Sequence, residues 1–185
     1  MFTPRRSPIP WVAVWFFATS LSADQPPRTA TEYELKAAFL YNFANFVSWP
    51  SDAFARPDSP FVIGVVGTDP FGPTLERILN GQHWNGRPIA VVRYSRPQEI
   101  RAVHLLFVSE SERKHWPEVQ AAAAPASILT VSDMRDFCLL GGMIEFVAEH
   151  NRLGFNMNVA AANRAHLAVS SKLLKLANLV TRAEP

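Results

Sequence analysis

The chain has 185 residues, 48% of them hydrophobic, with 18 Lys and Arg against 16 Asp and Glu. That is enough apolar content to bury one core of ordinary size without the help of metal or disulfides. The positive excess belongs to the first 23 residues, which hold Arg5, Arg6 and no acid, so residues 24–185 carry sixteen charges of each sign and no basic stripe suited to nucleic acid or an anionic membrane surface.

Arg5 and Arg6 precede a short apolar run, Trp11 to Ala18, and small residues follow at Ser20, Ser22 and Ala23. This layout predicts a signal peptide over residues 1–23, cleaved near Ser22 or Ala23, because the run is far below the roughly 20 residues a membrane span needs. The expectation is an exported chain with no membrane insertion after cleavage. Asp24 to Ala30 reads as a short leader containing proline, and residues 31–181 read as one domain, with no internal repeat.

Thr31 and Glu34 form a capping-box pattern, and Leu35, Phe39, Phe43, Phe46 and Val47 recur at helical spacing, which predicts an amphipathic helix over 32–48 stopped by Pro50. Phe61 to Gly67 reads as a buried strand. Gly72-Pro73 then opens a helix through Leu79, closed by Asn80-Gly81, and Asn85-Gly86 is a turn. Ile89 to Tyr94, Val103 to Ser109 and Ile128 to Val131 are further strands, the last two separated by a helix with Pro117 near its first turn.

From Met143 to Asn158 apolar and polar residues alternate on both sides of His150-Asn151, which predicts a hairpin. A two-residue turn pairs Glu149 with Arg152, Ala148 with Leu153, Phe146 with Phe155, Glu145 with Asn156 and Ile144 with Met157. One face then collects Ile144, Phe146, Ala148, Leu153, Phe155 and Met157; the other carries Glu145, Glu149, Arg152, Asn156 and Asn158. Helices at about 159–167 and 171–180, the second capped by Ser170, end the chain. Strands alternating with helices give an α/β fold, a three-layer sandwich with a mixed, mostly parallel central sheet and a C-terminal antiparallel hairpin.

Signals for chemistry are sparse. Gly67, Thr68, Phe71 and Gly72 lie at a strand-to-helix crossover where N–H groups could hold an anion, but the glycine spacing fits neither GxGxxG nor a Walker loop, and a plain βα turn is favoured. His83, His104, His115, His150 and His166 are scattered without the pairing a zinc site uses, so no metal and no cofactor are expected. His104 reads as a core or strand-end residue and His150 as a turn residue. Cys138, the single cysteine, reads as a small buried residue, with nucleophilic use or an intermolecular link to a second Cys138 as its alternatives. No Ser-His-Asp or GxSxG pattern points to a hydrolase.

The segments YELKAAFLYNFANFVSWP, VIGVVGTDPFG, HLLFVSES, LTVSD, DFCLLGGMIEFV, NRLGFNMN and SSKLLKLA resemble the YfiR-like (HmsC-type) periplasmic regulators, in order over roughly Tyr33 to Ala177. The resemblance implies a non-enzymatic role: binding the periplasmic part of an inner-membrane diguanylate cyclase, holding it inactive, and so restraining cyclic-di-GMP signalling and biofilm formation. It also implies a homodimer as one state, and a partner surface that takes in the hairpin's polar face, Glu145, Glu149, Arg152, Asn156 and Asn158, with Ser171 and Lys172 of the SSKLLKLA segment. The rival reading is a periplasmic small-molecule-binding module, with residues 67–74 at the carboxyl ends of the strands as its site. Many relatives carry cysteines at positions matching Gly64, Val103, Cys138 and Glu145, forming two bridges; this chain keeps only Cys138, so neither bridge forms.

Overall fold

The computed structural model describes residues 31–149 and 152–180. The expected signal peptide at 1–23, the leader at 24–30 and the His150-Asn151 turn pair lie outside the described residues.

Among the described residues, five α-helices and ten strands follow one another as α1 (Glu32–Phe46), β1 (Val47–Ser48), β2 (Phe61–Val66), α2 (Thr74–Leu79), β3 (His83–Trp84), β4 (Arg87–Tyr94), β5 (Leu105–Val108), α3 (Trp116–Ala123), β6 (Leu129–Ser132), β7 (Ile144–Glu149), β8 (Arg152–Met157), α4 (Val159–Arg164), β9 (Ala168–Val169), α5 (Ser171–Leu174) and β10 (Asn178–Leu179). Eight strands form one sheet in the order β10-β8-β7-β6-β5-β2-β4-β3. Its core, β4-β2-β5-β6-β7, is parallel; β8 runs antiparallel to β7 and β3 antiparallel to β4. The α/β class read from the sequence is the class observed.

Alternation along the central strands sends side chains to two cores, as the period of a strand requires. Ile63, Val65, Leu105, Phe107, Leu129 and Val131 pack with Ala37, Leu40, Phe43 and Ala44 of α1 on one face. Leu106 and Val108 pack on the other face with Trp116, Val119 and Ala123 of α3 and with Met134 and Phe137. The fully buried Phe43 meets Phe155 edge-on at 5.0 Å and Phe146 at 5.7 Å. Burying such a ring stabilises the fold by about 1.5–3 kcal/mol.

Helix α1 begins as expected. Thr31 Oγ1 accepts from Glu34 N at 3.3 Å, and Glu34 accepts from Thr31 N at 2.7 Å. Its buried stripe is Lys36, Ala37, Leu40, Phe43 and Ala44. Leu35, expected to face inward, is instead 42% exposed. Lys36 goes inside because Glu32 and Asp133 receive its ammonium at 2.7 Å each.

The hairpin adopts the predicted register at every pair, from Ile144 opposite Met157 to Glu149 opposite Arg152. The last helix is shorter than expected. Ser170 caps it, accepting from Lys172 N at 3.1 Å, but it ends at Leu174, and Asn178 and Leu179 join the sheet beside Asn156 and Met157. The pairing of β10 with β8 competes successfully with continued helix.

Candidate functional site

The segment between β6 and β7, residues 133–142, is built from successive turns. Leu140 N donates to Asp136 O at 2.9 Å and Gly142 N to Phe137 O at 2.9 Å. Met134 and Phe137 turn inward and close the second core, and Cys138 is buried as well. Asp136 sits at φ 62° and Gly141 at φ 99°, so the segment bends back on itself.

That bend covers the base of the hairpin's polar face. Glu145 is 6% exposed, and its carboxylate accepts from Asp136 N at 3.1 Å and Cys138 N at 3.2 Å. Asn158 is 2% exposed; it donates to Cys138 O at 3.0 Å and accepts from Ala161 N at 2.9 Å, capping α4. These two residues, placed on the hairpin's polar face by periodicity and in a partner surface by the resemblance, are internal latches that hold the 133–142 segment. They present no surface to a partner.

Four of the remaining candidates reach the surface at least in part. Arg152 is exposed, Asn156 is half-buried beside Asn178, and Ser171 and Lys172 are exposed on the first turn of α5. Leu176 and Leu179, missed from sequence because they extend a leucine pattern typical of a core, are 70% and 59% exposed. β10 pairs only with Asn156 and Met157, so the outer edge of β8 from Arg152 to Phe155 has no ladder partner among the described residues. The structure therefore gathers Asn156, the β8 edge and the segment after α5 at one end of the sheet, with polar groups and exposed leucines together.

Cys138 is 0% exposed, and its Sγ donates to Met143 O at 3.5 Å. Burial, and then the nearby Glu145 charge, push its thiol up to about 12. A buried thiol of that acidity supplies no thiolate for nucleophilic chemistry at neutral pH. It also cannot reach a second Cys138 while the fold is intact, so the buried reading replaces the intermolecular link. The positions at which the resemblance implies cysteines, Gly64 with Val103 and Cys138 with Glu145, fall side by side in two pairs. A Cβ on Gly64 would lie 2.8 Å from Val103 Cγ2, and Glu145 holds the backbone of Cys138.

Three N–H groups of the crossover loop are engaged within the protein. Gly67 N donates to Tyr94 O at 3.2 Å, Thr68 N to Ser111 Oγ at 2.9 Å and Phe71 N to Asp69 Oδ1 at 2.8 Å. Asp69 and Glu76 flank Gly72, both paired with Arg93. With these donors engaged and two carboxylates nearby, Gly67, Thr68, Phe71 and Gly72 form a plain βα turn, not an anion site. A crevice of about 440 Å³ does open at the carboxyl ends of the strands, lined by Tyr33, Pro70, Ser109, Glu110, Arg113, Asp133 and Arg135. Its charges are largely matched internally, Arg113 forking onto Glu110 and Asp133 receiving Lys36 and Tyr33 Oη.

Among the described residues, no helix is long and apolar enough to cross a membrane. No curated protein matches the chain. A family profile described as YfiR/HmsC-like matches residues 33–178, from the first turn of α1 to β10. With most of the chain covered by that match, and with the α/β sheet and its C-terminal hairpin in place, the chain belongs to the YfiR/HmsC-like family, a non-catalytic, periplasmic regulatory family that acts through protein partners in cyclic-di-GMP signalling.

Proposed function

We propose that this chain is an exported periplasmic inhibitor that binds the periplasmic sensor of an inner-membrane diguanylate cyclase and shifts that enzyme toward its inactive population, restraining cyclic-di-GMP signalling and biofilm formation. The observation that carries the reading is the family match over residues 33–178. The sequence of residues 1–23 supports export. The proposed contact surface is the open end of the sheet, with Arg152, Asn156, Ser171 and Lys172 as polar contacts and Leu176 and Leu179 as apolar ones. Exposed leucines beside polar groups make the mixed patch that partner surfaces favour. Glu149 lies opposite Arg152 in the hairpin register. The reading needs no cofactor and no catalytic residue.

Co-purification of residues 24–185 with detergent-solubilised inner-membrane proteins tests it. The expected result is capture of a diguanylate cyclase with a periplasmic sensor, lost in an Arg152→Glu, Lys172→Glu double variant, together with a rise in cellular cyclic-di-GMP when the gene is deleted. Unchanged cyclic-di-GMP on deletion and no captured cyclase would remove the proposal.

A further inference from the structure

A second cavity lies at the opposite end of the sheet from the strand-end crevice, between the carboxyl end of α3 and α4. It encloses about 260 Å³. Trp116, Ala123, Ile128, Met143 and Ala161 supply buried apolar walls. Two polar side chains line it from the solvent side, Gln120 and Arg164, both exposed. Neither makes a side-chain hydrogen bond or ion pair among the described residues. Arg164 is the single charged residue of the lining, and no carboxylate belongs to it. Gly141 contributes by what it lacks: a Cβ there would come within 2.6 Å of Gln120 Nε2, so glycine lets that amide lie against the rim.

An apolar pocket with a few convergent polar groups is the usual form of a small-molecule site. Here the convergent groups are a guanidinium, which only donates, and a primary amide, whose Nε2 can donate beside it, so the matching ligand is an acceptor with negative charge, and the walls ask for a hydrocarbon tail. A cation finds no acidic partner in the cavity, and a bare inorganic anion would leave the apolar walls unused. We propose that this cavity binds a small amphipathic monocarboxylate of about ten non-hydrogen atoms, its tail against Trp116, Ile128 and Met143 and its carboxylate on Arg164 with Gln120. The site is connected to the surface turn beside it, because Trp116 Nε1 donates to Leu140 O at 3.1 Å and Leu139 and Leu140 are 51% and 45% exposed.

Octanoate is the probe, titrated into residues 24–185 and followed by the indole N–H resonance of Trp116 in a nitrogen-proton correlation spectrum, assigned with Trp116→Phe. The expected result is a saturable shift of that resonance, weakened about tenfold or more in Arg164→Gln, whose loss is that of one charge-assisted pair. Octanol should bind the parent no better than octanoate binds that variant. Ala124→Phe, a substitution at an exposed lining position, should abolish the shift while the remaining amide spectrum stays that of a folded protein. No shift at millimolar octanoate, or equal binding of octanoate and octanol unaffected by Arg164→Gln, would overturn the proposal.

Discussion

The two ends of the β7–β8 hairpin share one alternation of polar and apolar residues and meet opposite fates. At the tip, Arg152 is exposed and has no outer ladder partner among the described residues; at the base, Glu145 and Asn158 on the same polar face are 6% and 2% exposed. The difference comes from outside the hairpin. Residues 133–142 fold over the base and bring backbone N–H and C=O groups that only polar side chains can satisfy, while among the described residues no such segment bonds to the tip. A polar side chain on a strand is therefore ambiguous between a surface contact and an internal latch, and the two differ in cost of removal. A buried donor left without its acceptor is expensive, whereas an exposed side chain is nearly free to change.

That contrast breaks most visibly at Glu145. Glu145→Ala should lower stability by about 2–4 kcal/mol, read by urea unfolding, because two buried N–H donors lose a charged acceptor. In the same variant Cys138 should become open to thiol alkylation under native conditions; in the parent, labelling should proceed only as fast as unfolding. Asn158→Ala should cost less, about 1–2 kcal/mol, since it removes the cap of α4 and one bond to Cys138 O. Glu145→Ala and Asn158→Ala within experimental error of the parent would mean that the base is no latch.

His104 sharpens the comparison with a buried polar group far from the 133–142 segment. It is 5% exposed, its Nδ1 accepts from Val62 N at 3.0 Å, and the ring stacks on Phe54 at 4.4 Å. Its Nε2 faces Ala53 O at 3.2 Å. Burial, with help from the Arg87 charge, holds its imidazole below the ordinary value of 6.5, against the opposing pull of the Ala53 carbonyl. The unfolded chain thus takes up a proton near pH 6.5 that the folded chain refuses, so this contribution to stability is complete above that value and declines as pH falls below it. His104→Asn, which retains an acceptor for Val62 N, should flatten the decline in Tm between pH 7.5 and 5; an unchanged slope would assign it to other groups.

The smallest effect on stability is expected at the tip. Arg152→Ala should stay within about 0.5 kcal/mol of the parent in the same urea experiment. Its measurable consequence should be on partner capture. If Arg152→Ala destabilised the fold as much as Asn158→Ala, the distinction between open tip and closed base would fail.

Much of the architecture was legible because its causes are local. The Thr31-Glu34 box, the Ser170 cap and the pairing of Phe146 with Phe155 each depend on residues within about ten positions, and each is found where the sequence puts it. The inward turn of Lys36 was not legible, since its partner Asp133 lies 97 residues away. Nor was the end of the last helix, because the strand that replaces it exists only beside β8.

By itself, then, the sequence determined the α/β class, the faces and register of the hairpin, the start of α1 and the family to which the chain belongs. The tertiary structure decided which polar residues of one face are sealed and which are open, that Gly67, Thr68 and Phe71 of the crossover loop already spend their N–H groups inside the protein, and that Cys138 is out of reach. Periodicity reports the direction in which a side chain points. Whether anything meets it there depends on a segment arriving from elsewhere in the chain, and that is a property of packing alone.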